Sequence, residues 1–324
     1  MQVKQNKFIC KSDTVKQVKI AVSKALGVEV ISVKRVIQGE ISYAFKVMTR
    51  RGVVLAKVLK FKGWPDVPAL IKVGKLLSKH QIPHPMVLYF AKHKAYFPHG
   101  LLIQKYIEGE DCHKAILSGK ISFVRYHYLL GKLLRKLHGI RLKRFGRLSK
   151  PLAKGTTYYD IRLKHLIKHL DEFNGTALLP SGLRNELLVR VGPGLKLVSE
   201  ICSPVLTHGD ATPDNCILTP QGELALIDWD NSKASAWLED FTWLTYCGSH
   251  MTSLGSLEKR SKIIWREFFR GYGRAGITKE DIKEIEYSLH LLKAVSHLGY
   301  HYFAQRNERA FKQTLAKLKR LLKK

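Results

Sequence analysis

Residues 200–240 hold eight acidic side chains and one basic one, Lys233, in a chain of 324 residues with a formal net charge of +30. Any fold must either disperse those carboxylates or gather them around a cation. Their order favours gathering. His208-Gly209-Asp210-Ala211-Thr212-Pro213-Asp214-Asn215 is followed by Leu226-Ile227-Asp228-Trp229-Asp230, which puts Asn215 five residues after Asp210 and Asp228 eighteen after it. That is the order of a phosphoryl-transfer site: a base for an acceptor hydroxyl, then two oxygen ligands for Mg²⁺. Taken alone, Asp214-Asn215 reads more readily as a turn or a helix cap than as a metal ligand. The spacing to Asp228 is what favours the metal.

The hydrophobic pattern frames this segment. Residues 13–27 read as a short helix opened by Ser12 or Asp13. Residues 30–37, 42–49 and 52–61 are rich in β-branched and aromatic side chains, with turns at Gln38-Gly39 and Arg50-Arg51-Gly52. They predict a three-stranded antiparallel meander. Leu70, Val73, Leu76 and Leu77 give residues 66–80 a helical face, ended by Pro83 and Pro85. Two strands follow, near 86–91 and 100–106. From residue 121 the period turns helical, with Val124, Tyr128, Leu129, Leu133, Leu134 and Leu137 as a stripe. Helices are expected over 158–173 and 183–200, short strands at 216–218 and 224–227, and helices to the end. Strands first and helices afterwards predict an α+β chain of two parts. The boundary falls near Glu108–Asp111: residues 1–108 form the smaller lobe and 109–324 the larger, mainly helical one.

Composition narrows the class. Apolar content is 45%, ordinary for a globular protein, and no apolar run is long enough to span a membrane. Five dispersed cysteines without a CxxC pair read as reduced thiols, and the first residues lack a signal-peptide pattern. The expected location is cytoplasmic. Residues 112–159 contain no acid, and the last nineteen carry eight bases and one acid, Glu308. Such a field attracts anions.

With these motifs in order, the chain resembles the aminoglycoside phosphotransferase and choline kinase-like family of the protein kinase-like superfamily. The resemblance spans roughly residues 30–245. It rests on His208-Gly209-Asp210 with Asn215, on Ile227-Asp228-Trp229-Asp230, and on Glu239-Asp240-Phe241. Ile82-Pro83-His84-Pro85, Leu134-Arg135-Lys136-Leu137-His138 and Tyr106-Ile107-Glu108-Gly109 support it. It implies a bilobal protein kinase-like fold, with a small antiparallel β-sheet N-lobe that binds nucleotide and a larger helical C-lobe that carries catalysis and the acceptor.

The resemblance also implies roles. Asp210 is the catalytic base, Asn215 and Asp228 hold Mg²⁺, and ATP is the phosphoryl donor. Lys57, on the strand Val53–Val58, meets the nucleotide phosphates, with Lys60 a competitor on the opposite strand face. Gly39 and Ser42 belong to the loop over the phosphates, although Gly39 reads equally as a hairpin turn. Backbone groups at Gln104–Tyr106 face adenine. His208 braces the loop more readily than it touches substrate, and Asp240 supports the catalytic loop. Asp230 is left open between metal contact, substrate contact and structural pairing. One departure stands out. Kinase-like folds pair the strand lysine with a helix glutamate, yet residues 67–107 contain no acid. Asp66 and Glu40 are the nearest substitutes.

The expected activity is transfer of the γ-phosphoryl group to a hydroxyl of a small molecule or glycoconjugate. The basic field favours an anionic acceptor. Aromatic residues after Asp240, among them Trp243, Tyr246, Trp265 and Tyr300, read as core or as an acceptor wall. The C-terminal helix, with Phe311, Leu315, Leu318 and Leu322 in a stripe, either packs on the helical lobe or docks peripherally on the inner membrane surface. A second functional reading is a kinase-fold protein that binds nucleic acid or an anionic surface with little catalysis. Nucleic acid is the less expected partner, because that role does not require Asp210, Asn215 and Asp228 together.

Overall fold

The structure, a computed structural model, describes residues 13–36, 42–93, 96–176, 178–180, 182–247, 257–273 and 276–323. The predicted turn at Gln38-Gly39, and with it Glu40, lies outside them. The chain divides into two compact units. The first comprises residues 1–121 and 213–232, and the second residues 122–212 and 233–324.

The first unit is built on a five-stranded antiparallel sheet: β1 (Val30–Val36), β2 (Ser42–Thr49), β3 (Gly52–Leu59), β4 (Val87–His93) and β5 (Phe97–Lys105), in the order β1-β2-β3-β5-β4. Alternation along β2 and β3 sends Phe45, Val47, Val54, Ala56 and Val58 to one buried face. Helix α1 (Thr14–Leu26) lays Val18 and Val22 on that face and ends at Gly27 in the left-handed conformation. Each such fully buried side chain contributes about 1.5–3 kcal/mol. Helix α2 (Val67–Lys79) begins where predicted. The Asp66 carboxylate caps it by accepting from the Ala69 N–H, and Leu70, Val73 and Leu77 are buried.

After β5 the chain passes Gly109, at φ +142°, into the two-residue strand β6 (Glu110–Asp111), which pairs with β10 (Cys216–Leu218). β10 pairs in turn with β11 (Leu224–Leu226). A Cβ on Gly109 would strike the Leu218 carbonyl, so the pairing requires glycine there. The short helix α3 (Cys112–Leu117), which no periodicity announces, follows β6.

The second unit is mainly helical. It contains α4 (Phe123–His138), α5 (Tyr158–Asp171), α6 (Leu183–Ile201), α7 (Leu238–Cys247), α8 (Leu257–Tyr272), α9 (Lys279–Gly299) and α10 (Glu308–Leu322). A small sheet runs β8-β7-β12-β9 through Lys150–Pro151, Gly146–Arg147, Lys233–Ser235 and Val205–Thr207. The buried face of α4 is Tyr126, Leu130, Leu134 and Leu137. It is rotated from the predicted stripe, whose Val124, Tyr128, Leu129 and Leu133 are only partly covered. The cause is Gly131. A Cβ there would meet the Phe268 carbonyl of α8, so the glycine face takes the close helix crossing. Helix α10 buries Phe311, Leu318 and Leu322 while Lys312, Lys319 and Arg320 stay exposed. Of the two readings of this stripe, packing with a solvated basic face is the one that its burial matches. Among the described residues, no helix is long and apolar enough to cross a membrane.

Candidate active site

In the first unit, β3 carries Lys57 between Ala56 and Val58, both buried. Its Nζ donates to Asp228 Oδ1 at 2.9 Å. Burial works against the ammonium, but Asp228 and Asp230 outweigh it and hold the Lys57 pKa well above the usual lysine range. The carboxylate described at Lys57 is that of Asp228, while Asp66 caps α2 and Glu40 lies outside the described residues. Lys60 lies in the bend just after β3 and is buried, with its Nζ 4.6 Å from the centroid of the Tyr43 ring. Ser42 starts β2 and is buried, paired in register with Leu59. Gly39 lies outside the described residues.

Asp228 has φ +62° and ψ +59°, a left-handed conformation rare for a residue with a side chain. The strained turn aims its carboxylate at Lys57, and the Asp228 side chain stays 39% exposed. Burial pushes the Asp230 carboxyl up to about 6; the Lys57 ammonium lowers it, and the adjacent Asp228 carboxylate raises it. Asn215 closes a 3₁₀ turn, Pro213–Asn215, and its carbonyl accepts from the Ile227 N–H at 2.9 Å. That bond ties Asn215 to the residue just before Asp228. Next to Asn215, the Asp214 carboxylate meets His113 Nδ1 at 2.7 Å.

The oxygen chemistry of this set fits Mg²⁺. Two carboxylates, Asp228 and Asp230, face one ammonium, which leaves negative charge over. Among the described residues, no three His, Cys, Asp or Glu side chains gather as a closed metal cage. Mg²⁺ is commonly held by one or two carboxylates together with substrate phosphates.

Two of the three residues predicted to face adenine show their side-chain environment. The Gln104 amide donates to the Pro85 carbonyl at 3.2 Å, and its Oε1 is buried without a hydrogen-bond partner. The Tyr106 ring lies under Lys46 Nζ, 4.5 Å from its centroid. Tyr106 also lines a cavity of about 660 Å³ with Val54, Lys105 and Glu223. Neither Lys57 nor Ser42 lines that cavity, so it is not where phosphates would meet Lys57.

In the second unit, Asp240 is fully buried and holds the loop that carries Asp210. Its carboxylate accepts from the backbone N–H of His208 at 2.9 Å and of Gly209 at 2.7 Å. His138, the last residue of α4, places Nε2 3.1 Å from the same carboxylate and Nδ1 3.0 Å from the Tyr272 hydroxyl. Burial opposes the charge on Asp240, but these donors keep its carboxyl below the ordinary value. His208 Nδ1 accepts from the Asp210 N–H at 3.2 Å, a bracing contact of the expected kind. Asp210 Oδ1 accepts from Trp243 Nε1 at 2.5 Å.

Glu239 is buried beside Arg162 and Lys233, with Lys233 Nζ at 2.8 Å and the Tyr158 hydroxyl at 2.8 Å. Burial would raise its carboxyl, yet the two cations hold it well below the carboxylate range. Of the aromatic residues after Asp240, Trp265 packs against Phe241 and Phe269, as core.

The phosphotransferase enzyme family matches residues 32–276. The chain belongs to the phosphotransferase enzyme family. Aminoglycoside phosphotransferase APH(4)-Ia superposes on this phosphotransferase with a TM-score of 0.69 at 13% identity, over 97% of this chain and 99% of that one. A thermostable mutant of the same enzyme, in ternary complex with ADP and hygromycin B, gives 0.69 at 14% identity, over 95% and 98%. The GDP complex of wild-type aminoglycoside 2'-phosphotransferase-IIIa gives 0.65 at 15%, over 96% and 99%. At such identities the likeness establishes the protein kinase-like fold. No curated protein matches the sequence.

For this phosphotransferase, the sequence grouped Trp243 with the aromatic wall and missed its bond to Asp210. The usable signal was its place one helical turn after Asp240, the residue that anchors the loop.

Proposed function

We propose that this phosphotransferase moves the γ-phosphoryl group of ATP to a hydroxyl of a small molecule or glycoconjugate. The observation that supports this most strongly is the Lys57–Asp228 pair in its strained turn, with Asp230 beside it. Asp210 takes the proton of the acceptor hydroxyl. Lys57 meets the nucleotide phosphates, near Ser42 and Gly39, and the backbone at Gln104–Tyr106 meets adenine. Asn215 and Asp228 hold Mg²⁺, which neutralises charge on the phosphates. Asp240 keeps the Asp210 loop in one conformation, so the base pays little reorganisation when an acceptor arrives.

The solved structures compared above are aminoglycoside phosphotransferases, one of them in complex with ADP and hygromycin B, and this supports a small hydroxylated acceptor here. The net charge of +30 favours an anionic one. It is also what speaks for the second reading, a basic binding protein that keeps the fold without the chemistry. ATP turnover in Mg²⁺ separates the two: the phosphotransferase consumes ATP and Asp210→Ala does not, while still binding nucleotide. Nucleotide-independent binding with no turnover across a broad acceptor screen would support the binding role instead.

A further inference from the structure

Between α4 and α5 the second unit carries a β-hairpin, β7 and β8, at the edge of its small sheet. Residues 141–154 hold six cationic side chains, Arg141, Lys143, Arg144, Arg147, Lys150 and Lys154, and no acid. All six are exposed. The register sets Arg147 directly opposite Lys150. Like charges at opposed positions of an antiparallel pair destabilise it, so stability alone would favour an acid at one of the two.

The hairpin is nonetheless anchored. Phe145 is buried and packs on the Tyr158 ring, with centroids 5.9 Å apart. The Leu152 N–H donates to the Phe145 carbonyl at 2.9 Å, and the Leu142 N–H to the Pro204 carbonyl at 2.9 Å. Gly146 pairs with Ala234 of β12. The cations thus stand on a fixed backbone. Among the described residues, Arg141, Lys143, Arg144, Lys150 and Lys154 enter no ion pair. The first acid after the hairpin in sequence, Asp160, accepts from the Thr157 N–H and hydroxyl. Glu239, whose partner Lys233 lies on β12 next to β7, is buried against Lys233 and Arg162.

A partner that suits such a surface is anionic and extended. The residues between the cations favour lipid. Leu152 is 36% exposed, Leu142 and Leu148 are partly covered, and the one aromatic ring of residues 141–154, Phe145, is buried. Single-stranded nucleic acid is held by rings that stack on its bases, and strands of two residues are too short to follow a duplex groove. Lys and Arg interleaved with leucine suit an anionic bilayer. Each cation there adds attraction to the headgroups, and the leucines reach toward the acyl boundary.

We propose that this hairpin docks the protein on an anionic lipid surface, with Lys143, Arg144 and Lys150 among the groups that meet the headgroups. The docking needs no nucleotide and does not rest on the phosphotransferase reading.

The test is sedimentation of the full chain, without nucleotide, with two kinds of vesicle: phosphatidylcholine alone, or equal parts phosphatidylcholine and phosphatidylglycerol. Because the whole chain is basic, two triple variants of equal charge are compared. One is Lys143→Gln, Arg144→Gln and Lys150→Gln in the hairpin. The other is Lys319→Gln, Arg320→Gln and Lys323→Gln, exposed positions at the end of α10. Wild type is expected to bind the anionic vesicles and not the neutral ones. The hairpin variant is expected to lose about a hundredfold in affinity, and the α10 variant less than about threefold. Thermal melts report that both variants are folded. Three results each overturn the proposal: no binding to anionic vesicles, a loss in the hairpin variant no greater than in the α10 variant, or polyuridylate at equal phosphate stripping wild type from the vesicles. The last would make nucleic acid the partner.

Discussion

Lys57 Nζ and Asp228 Oδ1 lie 2.9 Å apart although 171 residues separate them in sequence. The pair joins a central strand of the first unit to the turn after β11. Replacing Lys57 by Met keeps the stem and removes the charge, leaving Asp228 and Asp230 facing each other unbalanced. Nucleotide affinity in Mg²⁺ is expected to fall between about tenfold and a hundredfold. Titration of wild type and variant with a fluorescent nucleotide checks this; equal affinities would remove Lys57 from the nucleotide site.

Asp240 is buried and satisfies three donors at once, two of them in the loop that carries Asp210. Asp240→Ala strands those donors and is expected to cost about 3 kcal/mol or more in urea unfolding. Asp240→Asn keeps an acceptor oxygen and should lose less stability. A loss below about 0.5 kcal/mol in the alanine variant would show that the loop does not depend on this carboxylate.

Gly109 and Gly155 both have positive φ, +142° and +86°, but only Gly109 has a backbone carbonyl where a Cβ would go. Gly155→Ala should cost about 1 kcal/mol, the conformational penalty alone. Gly109→Ala should cost at least about 2 kcal/mol more, because β6 must move off β10. Thermal melts of the two variants side by side read the difference.

Burial pushes the His127 imidazole down to about 4 from its ordinary 6.5, while the Phe123 carbonyl and Glu267 pull the other way. Above pH 6.5 the ring is neutral in both folded and unfolded chain, so it contributes no pH dependence. Between about 6.5 and 4 the unfolded chain binds the extra proton, so stability falls as pH falls. His127→Gln removes that titration. Between about pH 7 and pH 5 its loss of stability is expected to be smaller than that of wild type by about 2 kcal/mol. Parallel losses in the two proteins would contradict the burial argument.

Local pattern carried the strands of the meander, α2 with its proline ending, and the onset of α4. These are encoded within a few residues of each element. The buried face of α4 was misjudged, because what decides it is the close crossing of α8 at Gly131, a partner more than 120 residues away. β6, β7, β8, β9 and β12 are two or three residues long, too short to leave a periodic trace, and β6, β9 and β12 hold through distant pairing. At the candidate site, the order of Asp210, Asn215 and Asp228 was legible, and the chemistry assigned to it is the proposal. Lys57 finding its carboxylate in Asp228, and Asp210 its donor in Trp243, were not, since both contacts need the chain folded.

The central claim is that Asp210 acts as the base of an ATP-consuming transfer. Acceptor-dependent release of ADP in Mg²⁺ tests it most directly, comparing wild type, Asp210→Ala and Asp228→Ala with nucleotide binding measured in parallel. The account predicts turnover in wild type, a loss of at least about a hundredfold in Asp210→Ala with nucleotide affinity kept, and loss of both in Asp228→Ala. Turnover in Asp210→Ala equal to wild type would contradict it.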